Sequence, residues 1–384
     1  MPCAHETIDF DAPVDRRGTN SLKWDRYGGR DVIPLWIADM DFRSPEAVIE
    51  ALHRRVQHGV FGYSLPPPEL NEQIAAMLQK SYGWSIEEEW LVWLPGLVPA
   101  LNAACLAVED SAQVLTAVPI YPPFLTAPRH SKRQLITVPL VQQNDLWSWD
   151  FDQLQDAITP KTRLFLLCNP HNPVGRIYSR DELAVLADIC LRHNLVICSD
   201  EIHCDLILDG HRQHVPTAAL DPEIAARTIT LMAPSKTFNL AGLGCSYAII
   251  AEAELRQKFR RAIAGIVPEV NVLGFVAALA AYRHGQLWLH SLLEYLRGNR
   301  QLVSEAIAQM PGLCMTHVQA TYLAWIDARP SGLRQPTLFF EKAGVGLSAG
   351  EDFGGPGFMR LNFACPRSTL TAALERMAVA LARA

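Results

Sequence analysis

The chain has 384 residues, a hydrophobic fraction of 49% and a net charge of −6, which predicts an ordinary globular protein with two domains. Its Lys and Arg residues are scattered, so nucleic acid and membrane surfaces are poor candidates as partners, and a small-molecule substrate is favoured. No apolar run reaches the ~20 residues of a membrane helix. The N-terminal sequence also lacks a signal-peptide pattern, and we expect a cytoplasmic protein.

The first 45 residues show no strong periodicity and contain many loop formers. We expect them to pack on a smaller domain or on a partner chain. Beyond them, short β-branched or Leu-rich runs alternate with amphipathic stretches, which is typical of βαβ units around a mostly parallel sheet. Strands are predicted at residues 90–94, 113–117, 163–168, 195–199, 228–232 and 246–250. Ser179 or Arg180 begins a predicted helix that ends near His193.

The pattern changes after about residue 283. A long helical stretch to residue 310 is followed by a strand in TYLAWIDA, a Gly-rich passage and a final helix. We therefore predict an α/β fold, with a mostly parallel sheet sandwiched by helices in residues 46–283. A smaller α+β domain is predicted from residues 1–45 and 284–384.

The nine cysteines are an odd number and include no CxxC pair, which predicts reduced thiols. Cys198, His203 and Cys204 lie close together in the sequence, but their spacing matches no common zinc pattern. No metal site is expected.

Polar residues follow three of the predicted strands, where an open parallel sheet binds ligands. A desolvated Lys236 would have a lowered pKa and would suit a Schiff base with an aldehyde, although a surface lysine is the alternative. Asp200 either pairs with a cation, such as a protonated pyridine nitrogen, or caps the following turn. Leu97 and Val98 begin a helix whose free N–H groups suit a phosphate.

Taken in order, the NPHNPVG, SDE and PSK segments resemble the aspartate-aminotransferase superfamily of fold-type I pyridoxal-phosphate enzymes. Further segments are similar to the MalY/PatB-type C–S lyases, which are cystathionine β-lyases. These segments are WDRYGGRDVIPLWIADMDF, HGVFGYS, SDEIHCDL, ATYLAWIDAR and FMRLNFACPR. The resemblance covers almost the whole chain and implies an aspartate-aminotransferase-like large domain with pyridoxal 5'-phosphate as cofactor.

The resemblance also implies a role for each matched residue. Lys236 would carry the cofactor and transfer the substrate proton, and Asp200 would pair with the pyridinium. Arg360 would bind the substrate carboxylate bidentately. The other implied contacts are ring stacking by Tyr121, a hydrogen bond from Asn172 to the ring oxygen, phosphate binding by Leu97, Val98 and Ser235, and phosphate binding by Tyr63 of a neighbouring subunit. The last contact implies a homodimer.

Two positions depart from the wider superfamily. Gly244 stands where many aminotransferases have a phosphate-binding arginine, and His203 stands where a tyrosine usually donates to the ring oxygen. Both departures fit the C–S lyase branch, and His203 stays a candidate cofactor contact. The predicted reaction is β-elimination of a thiol from an amino acid. An aminotransferase, and a binding or regulatory protein without turnover, remain alternatives.

Overall fold

A large sheet dominates the computed structural model, which describes residues 8–383. Its strands are β1 (Leu91–Leu94), β2 (Gln113–Val118), β3 (Gln134–Pro139), β4 (Thr162–Cys168), β5 (Val196–Asp200), β6 (Thr228–Met232) and β7 (Ser246–Ile249). Their spatial order is β1-β7-β6-β5-β4-β2-β3. Only β7 runs antiparallel to its neighbours, so the predicted mostly parallel sheet is confirmed.

Helices surround this sheet and continue into the C-terminal part of the chain. Their bounds are α1 (Leu22–Asp25), α2 (Glu46–His58), α3 (Pro68–Tyr82), α4 (Leu97–Leu106), α5 (Pro122–His130), α6 (Phe151–Asp156), α7 (Arg180–Arg192), α8 (Pro222–Ala225), α9 (Pro234–Thr237), α10 (Ala253–Ile263), α11 (Val272–His284), α12 (Gln286–Ala308), α13 (Pro336–Lys342) and α14 (Arg367–Leu381). None of these helices is long and apolar enough to cross a membrane.

Both faces of the large sheet are buried, as a parallel sheet requires. Along β4, successive side chains point to opposite faces. Leu164 and Leu166 pack in one apolar core with residues of α4, whereas Phe165 and Leu167 pack in another with residues of α7. The near-continuous apolar sequence of β4 follows from this two-sided burial, which also explains why the strand was easy to predict.

A second sheet is built from β8 (Cys314–Met315), β9 (Leu323–Asp327), β10 (Ser348–Ala349) and β11 (Phe358–Asn362). Its order is β8-β9-β11-β10, and neighbouring strands are antiparallel. The short strand Ile33–Pro34 pairs with Val345–Gly346, so the N-terminal segment contacts the C-terminal part of the chain. Residues 1–7 and Ala384, which belong to the predicted small domain, lie outside the described residues.

The edge strand β3 was missed by the sequence prediction because Val138 is its single buried side chain, so its pattern is not that of a core strand. The long helical stretch predicted after residue 283 is present as α12, which Gly285 separates from the preceding α11. A Cβ at Gly285 would lie 2.5 Å from the carbonyl oxygen of Ala281 and from the ring of Phe238. This close packing leaves no room for a side chain between the two helices.

Helix α7 begins with a capping box. The Ser179 hydroxyl accepts the N–H of Glu182, whose carboxylate accepts the N–H of Ser179. We expect Ser179→Ala to lower the free energy of unfolding by about 1 kcal/mol, because it leaves a helix N–H without its acceptor. Urea denaturation measures the loss. Ser304→Ala, on the exposed face of α12, is the matched control, and an equal effect of both substitutions would contradict the capping role.

Candidate active site

A cavity of about 350 Å³ lies at the carboxyl ends of β1, β4, β5 and β6. Open α/β sheets bind ligands at this edge. Nine of the ten residues predicted to form the site line the cavity: Leu97, Val98, Tyr121, Asn172, Asp200, His203, Ser235, Lys236 and Arg360. The structure therefore brings together side chains that are up to 263 positions apart in the sequence, as the interval from Leu97 to Arg360 shows.

Lys236 lies in the short helix α9 that follows β6, and its side chain forms part of the cavity wall. Its Nζ donates a hydrogen bond to the carbonyl oxygen of Ala38 at 2.5 Å. Burial lowers the pKa of Lys236 to about 8, and the nearby Arg360 guanidinium acts in the same direction. A useful fraction of this amine is therefore neutral close to physiological pH, as a nucleophile or base requires.

Asp200 is the last residue of β5 and is 4% exposed. Burial raises the pKa of its carboxyl to about 7, although the N–H of Ile202 and the charge of Lys236 favour ionisation. The hydrogen bond from Ile202 to Oδ1 is 3.1 Å long. Asp200 thus both caps the following turn and lines the cavity. A cationic ligand in the cavity would stabilise the carboxylate, which is the physical basis for pairing it with a pyridinium.

Arg360 comes from β11 and is buried. Nη1 donates to the Asn172 side-chain oxygen at 3.0 Å, and Nη2 donates to the carbonyl oxygen of Trp36 at 2.8 Å. Within residues 8–383, its Nε has no hydrogen-bond partner. Burial lowers the pKa of Arg360 to about 10, so the guanidinium stays charged at neutral pH. The side chain is held in place and retains a donor for an anionic ligand.

The helix α4 begins at the cavity wall with Leu97 and Val98. Gly96, which precedes it, provides no side-chain cap, so the first N–H groups are available to an anion. Ser235 adds a hydroxyl group to the lining. Ser246 also lines the cavity and was not predicted, because nothing in its sequence context distinguishes it from a core strand residue, but its hydroxyl donates to the carbonyl oxygen of Leu94 at 2.9 Å. The N–H groups at the start of α4 and the Ser235 hydroxyl suit a phosphate group.

Gly244 also lines the cavity, at the position where many aminotransferases of the wider superfamily have an arginine. Its φ is 58°, which a residue with a side chain rarely adopts. A Cβ at this position would lie 3.1 Å from the carbonyl oxygen of Pro95, in the loop that begins α4. A larger side chain would be strained here, so backbone and hydroxyl donors remain to bind the phosphate.

Tyr121 and His203 complete the lining. Burial raises the pKa of Tyr121 and lowers that of His203 to about 3, so both rings are neutral at physiological pH. In the described part of the chain, His203 Nδ1 is buried without a hydrogen-bond partner. An unpaired buried polar atom is costly unless a ligand satisfies it. This atom, the carboxylate of Asp200, the amine of Lys236 and the start of α4 together form a set of polar groups that fits pyridoxal phosphate.

Residues 36–42, which we call the N-terminal strap, accept hydrogen bonds from Arg360 and Lys236. Its Trp36 carbonyl accepts from Arg360, and its Ala38 carbonyl accepts from Lys236 and from the Tyr322 hydroxyl, the latter at 3.0 Å. Asn362 donates to the carbonyl oxygens of residues 37 and 39, both at 2.6 Å. The strap therefore links the small sheet to Lys236.

A charge cluster anchors the other side of the strap. Lys23 is 0% exposed and pairs with Asp41 at 2.8 Å. Arg16 pairs with Asp41 at 2.7 Å and with Asp39 at 2.6 Å. The sequence signal was the pair of aspartates in the otherwise apolar run LWIADMDF, which indicates buried carboxylates with cationic partners.

Tyr63 is the predicted residue that the structure does not place in the cavity of its own chain. It is 107% exposed, in the loop between α2 and α3. Its predicted contact with a neighbouring subunit stays a prediction.

Cys198, His203 and Cys204, which lie close together in the sequence, are buried, and both cysteines are free thiols. Between residues 8 and 383, no group of three or more His, Cys, Asp or Glu side chains is placed to hold a metal ion. Cys3 lies outside the described residues.

The fold and the cavity define the class first: an aspartate-aminotransferase-like protein with a lysine and a buried aspartate at the carboxyl edge of its sheet. The model of the aminotransferase class I and II family matches residues 30–377, and the chain belongs to that family. The predicted family is thereby confirmed.

Named relatives cover nearly the whole chain. Cystathionine beta-lyase PatB of Bacillus subtilis is 38% identical over 391 residues, with 97% of this chain and 100% of that protein covered. The crystal structure of OvoB superposes with a TM-score of 0.96 at 48% identity and covers 98% of this chain and 100% of that one. The pyridoxal-phosphate-bound C–S lyase of Staphylococcus hominis gives a TM-score of 0.92 at 32% identity, with 98% and 99% covered.

Proposed function

We propose that this protein is a pyridoxal-phosphate-dependent C–S β-lyase. It cleaves cystathionine or other S-substituted cysteines, with one water, to a thiol, pyruvate and ammonia. The observation that carries the proposal is the convergence of Lys236, Asp200 and Arg360 on one cavity. Full-length similarity to a cystathionine beta-lyase and to a pyridoxal-phosphate-bound C–S lyase supports the reaction and the cofactor.

The cavity residues divide into three groups around the cofactor. Lys236 would hold it covalently, and Asp200 would keep its ring nitrogen protonated. Leu97 and Val98 at the start of α4, with Ser235, would bind the phosphate. The neutral rings of Tyr121 and His203 and the amide of Asn172 would contact the pyridine ring and its oxygen. When bound, pyridoxal phosphate supplies an electron sink for the negative charge left at the substrate Cα.

The chain itself performs the remaining tasks. Arg360 binds the substrate α-carboxylate with a charge-assisted hydrogen bond and so orients the Cα–H bond. The Lys236 amine accepts the Cα proton, as its lowered pKa allows. The strap carbonyl of Ala38 then accepts a hydrogen bond from the protonated amine. The Cβ–S bond breaks, the sulfur leaves with its electron pair, and the proton taken up by Lys236 completes the thiol.

An assay without a keto acid separates this function from that of an aminotransferase, which shares the first proton transfer and belongs to the same family. Incubation with L-cystathionine should release pyruvate and a thiol continuously. Turnover that requires an added keto acid would overturn the lyase proposal. A purified protein without the visible absorbance of bound cofactor would instead favour the binding or regulatory alternative.

Gly244→Ala tests the proposed phosphate site. We expect the dissociation constant for pyridoxal phosphate to rise about fivefold to tenfold, because the strained alanine pushes against the Pro95 carbonyl and shifts the start of α4. Titration of the cofactor-free protein measures the change. Gly242→Ala is the matched control, since a Cβ there meets no atom within 4 Å. Equal affinities of the two variants would contradict this site.

We also propose that two chains form a homodimer through the exposed loop that carries Phe61, Tyr63 and Leu65. These side chains are 56%, 107% and 84% exposed, which is unusual for three large apolar residues in one loop.

The proposed domains are residues 46–283 and residues 1–45 with 284–384. The cytoplasmic location expected from the sequence stays a prediction.

Hybrid dimers test the contribution of Tyr63 across the interface. Lys236→Ala and Tyr63→Ala chains should each be weakly active alone. After mixing and exchange of subunits, each hybrid should contain one complete site, so activity should recover to about a quarter of the wild-type value. No recovery, despite subunit exchange seen by mass measurement, would contradict the shared site.

A further inference from the structure

A second cavity, of about 400 Å³, lies beside the first. Ile37, Tyr121 and Arg360 line both cavities, so the two spaces meet at the side chain that binds the substrate α-carboxylate. The outer cavity is additionally lined by Arg26, Trp36, Thr337, Glu341, Ser348 and Asp352. We call it the distal cavity. The distal cavity therefore adjoins the side chain to which the substrate is proposed to bind.

The distal cavity offers one free positive charge. The guanidinium of Arg26 lies over the Trp36 ring, 4.5 Å from its centre, in a cation–π contact that favours this position. Across the described residues, Arg26 has no carboxylate partner within 4.0 Å, although Glu341 lines the same cavity. Glu341 is already engaged, since it pairs with Arg30 at 2.9 Å. The donors of Arg26 are therefore available to a ligand carboxylate.

The distal cavity also offers one free negative charge. Asp352 is exposed and, in the part of the chain that the structure describes, forms no ion pair within 4.0 Å. The Ser348 hydroxyl is not free to replace it, because it donates to the carbonyl oxygen of Trp36 at 2.6 Å. Once Arg30 has neutralised Glu341 and the substrate α-carboxylate is bound to Arg360, the free charges of the cavity among the described residues are one guanidinium and one carboxylate. A ligand with one carboxylate and one ammonium would leave neither unpaired.

We propose that the distal cavity binds a second amino-acid head group, with its carboxylate on Arg26 and its ammonium on Asp352. This inference rests on the proposed lyase function and narrows it. The preferred substrate is an S-substituted cysteine whose sulfur substituent is itself a zwitterionic amino acid, of which cystathionine is one example. Arg26 and Asp352 are specificity-determining residues and take no part in the bond cleavage.

The experiment compares L-cystathionine with S-butyl-L-cysteine, which lacks both distal charged groups. We expect the ratio of their kcat/KM values to favour cystathionine in the wild-type protein. Arg26→Gln and Asp352→Asn should each lower this ratio by about tenfold to a hundredfold, the effect of one lost charge-assisted hydrogen bond. Arg43→Gln and Asp152→Asn, which remove exposed charges outside both cavities, are the matched controls.

The outcomes separate this inference from the lyase function. If neither substrate yields pyruvate without a keto acid, the proposed function fails. If both substrates are cleaved and the two variants leave the ratio as it is in the controls, the lyase stands and the distal site is overturned. A ratio that falls in Arg26→Gln but not in Asp352→Asn indicates a site for carboxylates alone, which also overturns the zwitterion proposal.

Discussion

Lys236→Ala should lower lyase turnover about a thousandfold or more, because it removes both the covalent anchor and the base that accepts the Cα proton. The structure supports this expectation through two features of the side chain. It lines the cavity that holds Asp200 and Arg360, and its pKa of about 8 makes a neutral amine accessible. Steady-state pyruvate release from L-cystathionine measures the loss.

A second measurement separates loss of the anchor from loss of the fold. After borohydride reduction and denaturation, the wild-type protein should retain the mass of the cofactor, and the variant should not. Lys161→Ala is the matched control, since Lys161 is an exposed lysine beside a strand of the same sheet. Substantial turnover in the Lys236→Ala protein would refute the assignment, as would equal losses in the two variants.

The large sheet was predictable because parallel strands are buried on both faces and leave continuous apolar runs. The strand ending at Met232 was predicted with the bounds that the structure shows, and Lys236 follows it in a short helix. The polar residues after such strands stand out because they interrupt an apolar pattern. Lys236 and the buried Asp200 were therefore accessible to sequence reasoning, and the family resemblance supplied their implied roles.

What the sequence did not reveal depends on contacts between distant segments. The strap acts through backbone carbonyls, which carry no side-chain signal, and its donors Lys236 and Arg360 lie about 200 and 320 residues away. The distal cavity combines Arg26 with Asp352, and each residue looks like an ordinary surface charge in its own segment. Only the folding of the N-terminal segment against the C-terminal part of the chain brings them together.

Asp200→Asn should have opposite effects on activity and on the stability of the cofactor-free protein. Lyase turnover should fall about a hundredfold or more, because an amide cannot keep the ring nitrogen protonated. The same substitution removes a buried carboxyl whose pKa is raised by burial from 3.8 to about 7. The cofactor-free variant should therefore be the more stable protein at alkaline pH.

The direction of this pH dependence of stability follows from proton binding. The folded state holds the Asp200 proton more tightly than the unfolded chain does, so ionisation costs nothing below the unfolded pKa and progressively destabilises the protein as pH rises toward 7. A shift of about 3 pKa units corresponds to at most about 4 kcal/mol. Urea denaturation of the cofactor-free proteins at pH 4.5 and pH 8 should show an advantage for Asp200→Asn that grows with pH. The exposed substitution Asp152→Asn should show no such growth. An advantage that is constant with pH, or a variant that keeps full turnover, would mean that Asp200 does not carry the charge assigned to it here.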